Sequence, residues 1–115
     1  MGAIGLPGDL SSASRFVRAA FVRWNLRPGK TDIENITQCF HLLTSVEQQE
    51  GCVCVDNLYE MTIYSSCCNT ATGVYYYTTY SNHQITAIDM HRHDLNSDTL
   101  ASYPLIMDQQ IFHAN

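Results

Sequence analysis

The chain has 115 residues, a mass of 13.0 kDa and a formal net charge of −5 with its histidines neutral. This length allows one domain at most. A content of 45% apolar and 15% charged residues argues against an intrinsically disordered chain. The acidic balance argues against a nucleic-acid partner, which would need clustered Lys and Arg. We expect no membrane span and a cytoplasmic location, because no long apolar run and no secretory signal are present.

The first predicted element is a helix that follows a glycine-rich, extended lead-in over residues 1–10. Ser11 or Ser12 can cap its first turn, and we expect it to end near Asn25, before Pro28. Its apolar residues fall in one arc of a helical wheel, namely Phe16, Val17, Ala20, Phe21 and Trp24. Arg18, Arg23 and Asn25 lie outside that arc.

A second helix is predicted from Thr31, because Thr31 and Glu34 have the spacing of a capping box. We expect this helix to stop near Gly51, after a run of polar residues. One stripe of it is apolar, namely Ile33, Ile36, Phe40 and Leu43.

From about Tyr59 the apolar period changes to two, which predicts an antiparallel meander. The first strand runs from Tyr59 through Cys67, and the next two cover residues 74–80 and 85–90. Residues 91–97 indicate a turn or a single helical turn. Residues 102–107 are a candidate fourth strand, at an edge because of Pro104. Two helices followed by three to four strands predict an α+β fold with both helices on one sheet face, and with tyrosines on the other face.

Arg15 is the first candidate for a functional residue. It falls in the first turn of the first helix, where the positive end of the helix dipole disfavours a cation. Two interpretations stay open at this point. Arg15 is either a surface side chain paired with Asp9, or a side chain directed into a cleft formed by the lead-in.

Two short clusters, Cys52 with Cys54 and His91 with His93, have the residue types of a zinc site. Each pair has one intervening residue rather than the two to four that are usual in zinc knuckles. We therefore interpret them as packed thiols and solvated histidines, and we expect no metal and no cofactor. The odd total of five cysteines, on a chain without an export signal, favours reduced thiols.

No pair of residues in the sequence makes a self-sufficient nucleophile and base. Cys39 lies in the apolar stripe of the second helix, and His41 lies on another face of that helix. Ser65 to Cys68 lie in mid-strand without the glycines of a nucleophile elbow. The residues alone therefore indicate a domain without a complete active site.

Four segments in the same order resemble one known family over nearly the whole chain. They are GLPGDLSSASRFVRAAF (residues 5–21), FHLLTSVEQQEG (40–51), YEMTIYSSCCN (59–69) and GVYYYTTYSNHQITAIDM (73–90). These segments are similar to the choloylglycine hydrolase family, which comprises bile salt hydrolases and penicillin V acylases within the N-terminal-nucleophile hydrolase superfamily. The likeness is closer to the bile salt hydrolases.

The resemblance implies a partial αββα sandwich in which residues 1–115 form the C-terminal third of the enzyme domain. It also implies a cysteine nucleophile at the mature N-terminus, whose α-amino group handles the proton. Arg15, in the SRF segment, is the one member of the family's catalytic set that matches. Its implied role is to favour the thiolate of that cysteine.

Met1 is followed by Gly2, so this sequence contains no counterpart of the nucleophile, and we expect the isolated chain to be inactive. The implied substrates of the intact bacterial enzyme are glycine- and taurine-conjugated bile salts, and we expect a homo-oligomer. Two alternatives stay open: an acylase acting on penicillin V or another acyl amide, and a non-catalytic binding module.

Overall fold

The computed structural model describes residues 2–115, which divide into an N-terminal unit ending at Thr62 and a C-terminal unit, Ile63–Asn115. The N-terminal unit contains α1 (Ser12–Asn25), α2 (Asp32–Thr44) and an antiparallel hairpin of β1 (Val53–Val55) and β2 (Leu58–Glu60). The C-terminal unit contains β3 (Tyr64–Asn69), β4 (Val74–Thr79) and β5 (Asn82–Asp89), an antiparallel meander in that order, and then a 3₁₀ turn, Met90–Arg92. The predicted α+β class is confirmed.

Both helices begin where their capping residues predict. The Ser11 hydroxyl oxygen accepts a hydrogen bond from the Ser14 N–H at 3.3 Å and so caps α1. At α2, the Thr31 side chain accepts from the Glu34 N–H at 3.2 Å, and the Glu34 carboxylate accepts from the Thr31 N–H at 3.2 Å. This reciprocal capping box satisfies backbone donors that the first turn of a helix leaves unpaired.

Helix α2 ends at Thr44, so the predicted end near Gly51 is wrong. The Ser45 hydroxyl donates to the Leu42 carbonyl at 2.6 Å, and the Ser45 N–H reaches the His41 carbonyl. These bonds satisfy the last carbonyls of α2 locally, and the chain leaves the helix there. Gly51, with a φ of +96°, instead serves the turn that leads into β1.

The single strand predicted from Tyr59 through Cys67 is also wrong in its first half. Residues 58–60 form β2, which pairs with β1, and the meander begins only at Tyr64. Asp56 and Asn57 join β1 to β2, and both have positive φ, at 50° and 62°. Positive φ at both central residues is the geometry of a type I′ hairpin turn.

The apolar arc of α1 is largely uncovered in this chain. Phe16 is 74% exposed and Trp24 is 85% exposed. The apolar arc predicted from helical periodicity is therefore an exposed surface of α1, which the described residues do not bury.

The candidate fourth strand at residues 102–107 does not form, and the meander has three strands. Instead, residues 103–110, which we call the C-terminal segment, bind side chains of the sheet. The Thr79 hydroxyl donates to the Ile106 carbonyl at 3.0 Å, and the Tyr77 hydroxyl oxygen accepts from the Ile106 N–H at 3.3 Å. Tyr77 and Thr79 are two residues apart in β4, so their side chains lie on the same face of the sheet. The C-terminal segment therefore lies over a face of the sheet rather than along its edge. Part of the tyrosine-bearing surface therefore has its cover within the chain.

Asn82 is the most buried residue of this arrangement, with 1% of its surface exposed. It lies opposite Thr79 in the sheet, and its side-chain oxygen accepts from the backbone N–H groups of Gln84 and Gln110 at 3.2 and 3.1 Å. One amide thus joins the start of β5 to the C-terminal segment.

We predict that Asn82→Ala lowers the free energy of unfolding by about 2 kcal/mol, because two backbone donors lose their acceptor. Chemical denaturation followed by circular dichroism measures this change, and amide hydrogen exchange at Gln110 shows where it acts. Gln84→Ala is the matched control, since the Gln84 side chain is exposed and truncating it should cost less than about 0.5 kcal/mol. Equal costs for the two variants would contradict the assignment.

Candidate active site

The lead-in and the first turn of α1 are joined by the Asp9 carboxylate. One carboxylate oxygen accepts the Ser11 N–H at 2.9 Å, and the other accepts the Ser14 hydroxyl at 2.5 Å. Hydrogen bonds from Ser11 and Ser14 lower the pKa of Asp9 to about 2, because they favour the ionised carboxylate. The negative charge also lies beside the positive end of the α1 dipole, where it is stabilising.

Arg15 follows Ser14 in α1 and is half-buried. Its Nε donates to the main-chain carbonyl of Val46 at 2.8 Å. Among residues 2–115, this is the one hydrogen bond that the Arg15 guanidinium donates. The four N–H groups on its two terminal nitrogens are therefore available to a ligand.

The interpretation of Arg15 as a surface side chain paired with Asp9 is wrong. The Asp9 carboxylate is occupied by Ser11 and Ser14, and the Arg15 guanidinium binds Val46 instead. The alternative, in which Arg15 is directed into a cleft formed by the lead-in, stays a prediction. The lead-in carbonyls of Pro7 and Asp9 bind a different arginine.

That arginine is Arg18, one turn after Arg15 on α1. Its Nη1 donates to the carbonyls of Pro7 and Asp9 at 3.0 and 2.6 Å, and its Nε donates to the Ser45 carbonyl at 3.2 Å. The helical periodicity predicts only that Arg18 lies outside the apolar arc of α1. Its partners are main-chain carbonyls, which any residue type provides, so the sequence held no signal beyond its spacing of three from Arg15.

Each of the two arginines donates to one carbonyl in residues 45–48, which we call the α2 exit segment. Ser45 and Val46 provide consecutive carbonyls immediately after α2, where the negative end of the helix dipole favours cations. Gln48 adds a further link, because its side-chain amide donates to the Leu10 carbonyl at 3.3 Å. The lead-in, the start of α1 and the α2 exit segment are thus joined by polar bonds.

The other candidate groups from the sequence do not assemble into a site. Within residues 2–115, no cluster of three or more His, Cys, Asp or Glu side chains could hold a metal ion. None of the five cysteines in the described chain forms a disulfide. His93 contributes instead to a cavity of about 670 Å³ in the C-terminal unit, where its ring is hydrogen-bonded to the Tyr103 hydroxyl. Most of that cavity is lined by apolar residues of β4, β5 and the C-terminal segment.

Comparison with known proteins identifies the family. A family model described as linear amide C-N hydrolases, choloylglycine hydrolase family, matches residues 1–103. The chain belongs to the choloylglycine hydrolase family. It is 51% identical over 116 aligned residues to the bile salt hydrolase/transferase of Lactiplantibacillus plantarum, covering 100% of this chain and 36% of that protein. It is 37% identical to the bile salt hydrolase/transferase of Clostridium perfringens, covering 99% of this chain and 35% of that protein.

Solved structures give the same result for the fold. An arginine-to-leucine variant of the conjugated bile acid hydrolase of Clostridium perfringens matches with a TM-score of 0.85 at 36% identity, covering 99% of this chain and 35% of that one. The penicillin V acylase of Agrobacterium tumefaciens matches with a TM-score of 0.69, over 82% of this chain and 30% of that one. At 24% identity, the acylase match shows a shared fold alone.

The chain thus spans about a third of the length of the family members it matches. A bile salt hydrolase fold is present for that third, and the predicted family resemblance is confirmed. No helix in the described part of the chain is both long and apolar enough to cross a membrane.

The low pKa of Asp9 has a testable consequence for stability. A carboxyl group whose folded pKa lies below its ordinary value of 3.8 stabilises the fold at higher pH and loses that contribution as pH falls toward about 2. We expect the Asp9 carboxyl carbon to titrate in NMR with a midpoint near 2. Asp9→Asn should flatten the loss of stability in this acid range.

Ser14→Ala is the variant that tests the cause of the shift. Removing the hydroxyl donor should move the Asp9 midpoint upward, toward 3.8. Ser12→Ala is the control, because Ser12 is an exposed residue of the same turn. A midpoint that stays near 2 in Ser14→Ala would contradict the role given to this hydrogen bond.

Proposed function

We propose that the chain is the C-terminal third of a cysteine-dependent amide hydrolase that releases glycine or taurine from conjugated bile salts. The observation that carries this proposal is the 51% identity to a bile salt hydrolase/transferase along the whole of the chain. In the intact enzyme, this third contributes one helical layer and part of one sheet to an αββα sandwich. Bile salts are favoured over penicillin V as substrates because the 51% identity is to a bile salt hydrolase/transferase, whereas the penicillin V acylase match shows a shared fold alone.

Arg15 is the catalytic residue that we assign to this chain. The Val46 carbonyl fixes Nε, so the terminal nitrogens have a defined position at the half-buried start of α1. A guanidinium near a cysteine favours the thiolate over the thiol, because the cation stabilises the negative sulfur. That thiolate is the species that attacks an amide carbonyl.

We assign the nucleophile to a cysteine of the intact enzyme that lies outside residues 1–115. The five cysteines here lie in α2, beside and within β1, and in β3. Cys39 is half-buried on a helix, and adjacent residues Cys67 and Cys68 point to opposite faces of a strand. In the proposed reaction, the external thiolate attacks the amide carbonyl, the amine leaves as glycine or taurine after gaining a proton, and water hydrolyses the thioester.

The remaining features of the proposal concern the intact enzyme. The exposed apolar arc of α1 supports its burial there, against the remaining part of the enzyme or another copy in a homo-oligomer. The two bile salt hydrolase/transferase relatives described above are bacterial, which supports a bacterial enzyme, and we propose a cytoplasmic location.

The decisive experiment uses a chimera in which this chain replaces the matching third of the Lactiplantibacillus plantarum enzyme. We expect the chimera to hydrolyse taurocholate and glycocholate faster than penicillin V. Arg15→Lys should lower kcat/KM by about 10²-fold or more, because lysine lacks the planar fork that binds Val46 and still reaches a second group.

Arg23→Lys is the matched control, since Arg23 is an exposed arginine on the last turn of the same helix. It should keep kcat/KM within about twofold. Hydrolysis of penicillin V in preference to bile salts would support the acylase alternative. A chimera that folds but hydrolyses neither substrate would support a non-catalytic binding module.

A second prediction concerns the nucleophile. We expect the chain alone to release no glycine or taurine, and we expect the chimera to keep its activity when Cys39, Cys52, Cys54, Cys67 and Cys68 are each replaced by serine. Alanine in place of the cysteine supplied by the Lactiplantibacillus part should abolish turnover. Loss of turnover in any one of the five serine variants, with folding intact, would assign the nucleophile to this chain.

A further inference from the structure

We propose that Arg18 is a positioning residue for Arg15, because it fixes the α2 exit segment whose Val46 carbonyl holds the Arg15 guanidinium. The importance of this positioning for catalysis rests on the proposed function of Arg15. The positioning itself is a property of the N-terminal unit and can be measured without any substrate.

The Arg18 guanidinium joins two segments that are distant in sequence. Two of its bonds reach the lead-in, at the Pro7 and Asp9 carbonyls, and the third reaches the Ser45 carbonyl at the end of α2. Arg18 is half-buried, so water competes less for these acceptors than it would at an open surface. Hydrogen bonds from a charged donor are also stronger than those between neutral groups.

The carbonyls bound by the two arginines belong to consecutive residues. Arg18 holds Ser45, and Arg15 holds Val46. Adjacent peptide units share one α-carbon and cannot move independently by more than the intervening dihedral angles allow. On α1 the two arginines lie three residues apart, so their side chains share one side of the helix. A shift of the Ser45 carbonyl therefore displaces the acceptor that orients Arg15.

The lead-in is also bound to the first turn of α1 through the Asp9 side chain. The Asp9 carboxylate accepts a hydrogen bond from the hydroxyl of Ser14, the residue before Arg15. The main-chain carbonyl of Asp9 accepts a hydrogen bond from Arg18. Ser14 and Arg18, which lie before and after Arg15 on α1, therefore both bind Asp9 of the lead-in. An arginine suits this place because its rigid fork carries several donors, whereas the ammonium group of lysine is a compact point charge.

The first test measures the geometry of Arg15 in the chain itself. NMR exchange of the Arg15 Nε–H with solvent reports its bond to Val46. We expect Arg18→Gln to accelerate this exchange by about tenfold, and Arg18→Lys to give a smaller acceleration. Arg23→Gln, on the same helix, should leave the rate unchanged. If Arg18→Gln loses the helical circular dichroism signal, Arg18→Lys provides the measurement.

The second test measures catalysis in the chimera. Arg18→Gln should lower kcat by about tenfold with KM within twofold, because the substrate contacts remain while the catalytic cation is misplaced. Arg18→Lys should recover part of kcat, and Arg23→Gln should match the unsubstituted chimera. A purely structural role would instead lower the amount of folded enzyme and leave kcat per folded molecule unchanged.

The two proposals fail in different ways. Unchanged Nε–H exchange in both Arg18 variants would overturn the positioning role, whatever the activity. Accelerated exchange together with an active Arg15→Lys chimera would overturn the catalytic role of Arg15 and leave the positioning by Arg18 intact.

Discussion

The order of the N-terminal unit depends on one guanidinium that binds three main-chain carbonyls. Arg18 holds Pro7 and Asp9 of the lead-in and Ser45 at the end of α2. Residues 2–10 of the lead-in contain no helix or strand, and therefore no backbone ladder fixes them to their neighbours. The lead-in is instead fixed by side-chain hydrogen bonds, from Arg18 and from Gln48 to the Leu10 carbonyl. The position of the α1 first turn follows from them.

This polar fastening compensates for a small apolar core. Phe40 and Tyr77 are the buried large apolar residues in the described chain, one in each unit, while Phe16 and Trp24 on α1 are exposed. Small chains bury a limited fraction of their surface, so hydrogen bonds that close loops carry more of the specificity of the fold. The C-terminal unit follows the same rule, since Tyr77, Thr79 and Asn82 hold the C-terminal segment through side-chain bonds.

Local signals predicted the parts of the fold that local chemistry determines. The cap at Ser11 and the box formed by Thr31 and Glu34 act within one helical turn, so their residue types are sufficient to locate both helix starts. Asp56 and Asn57 were an equally local signal for the β1–β2 hairpin, because Asx residues tolerate positive φ. Reading the period of two from Tyr59 onward merged β2 with the separate strand β3.

The features that the sequence did not predict depend mostly on hydrogen-bond partners that are far apart in the chain. The premature end of α2 follows from the Ser45 hydroxyl bond, and the C-terminal segment binds a sheet face about thirty residues earlier in the chain. Arg15 was identified through family resemblance rather than through its surroundings. Its acceptor lies 31 residues away and is a carbonyl, a group that carries no residue identity. Backbone acceptors are therefore the part of this candidate site that only coordinates reveal.

Arg18 and Arg15 differ in how many of their guanidinium N–H groups are already bound within the N-terminal unit. Arg18 uses its guanidinium to bind three carbonyls of its own unit, so it can change partners only by loosening the lead-in or the α2 exit segment. Arg15 binds one carbonyl through Nε and keeps its terminal nitrogens for another group. A site that must stabilise a reactive anion needs a cation that is both fixed and available, since reorganisation during the reaction raises the barrier. Two arginines one turn apart meet both requirements, because one fixes the segment and the other presents the charge.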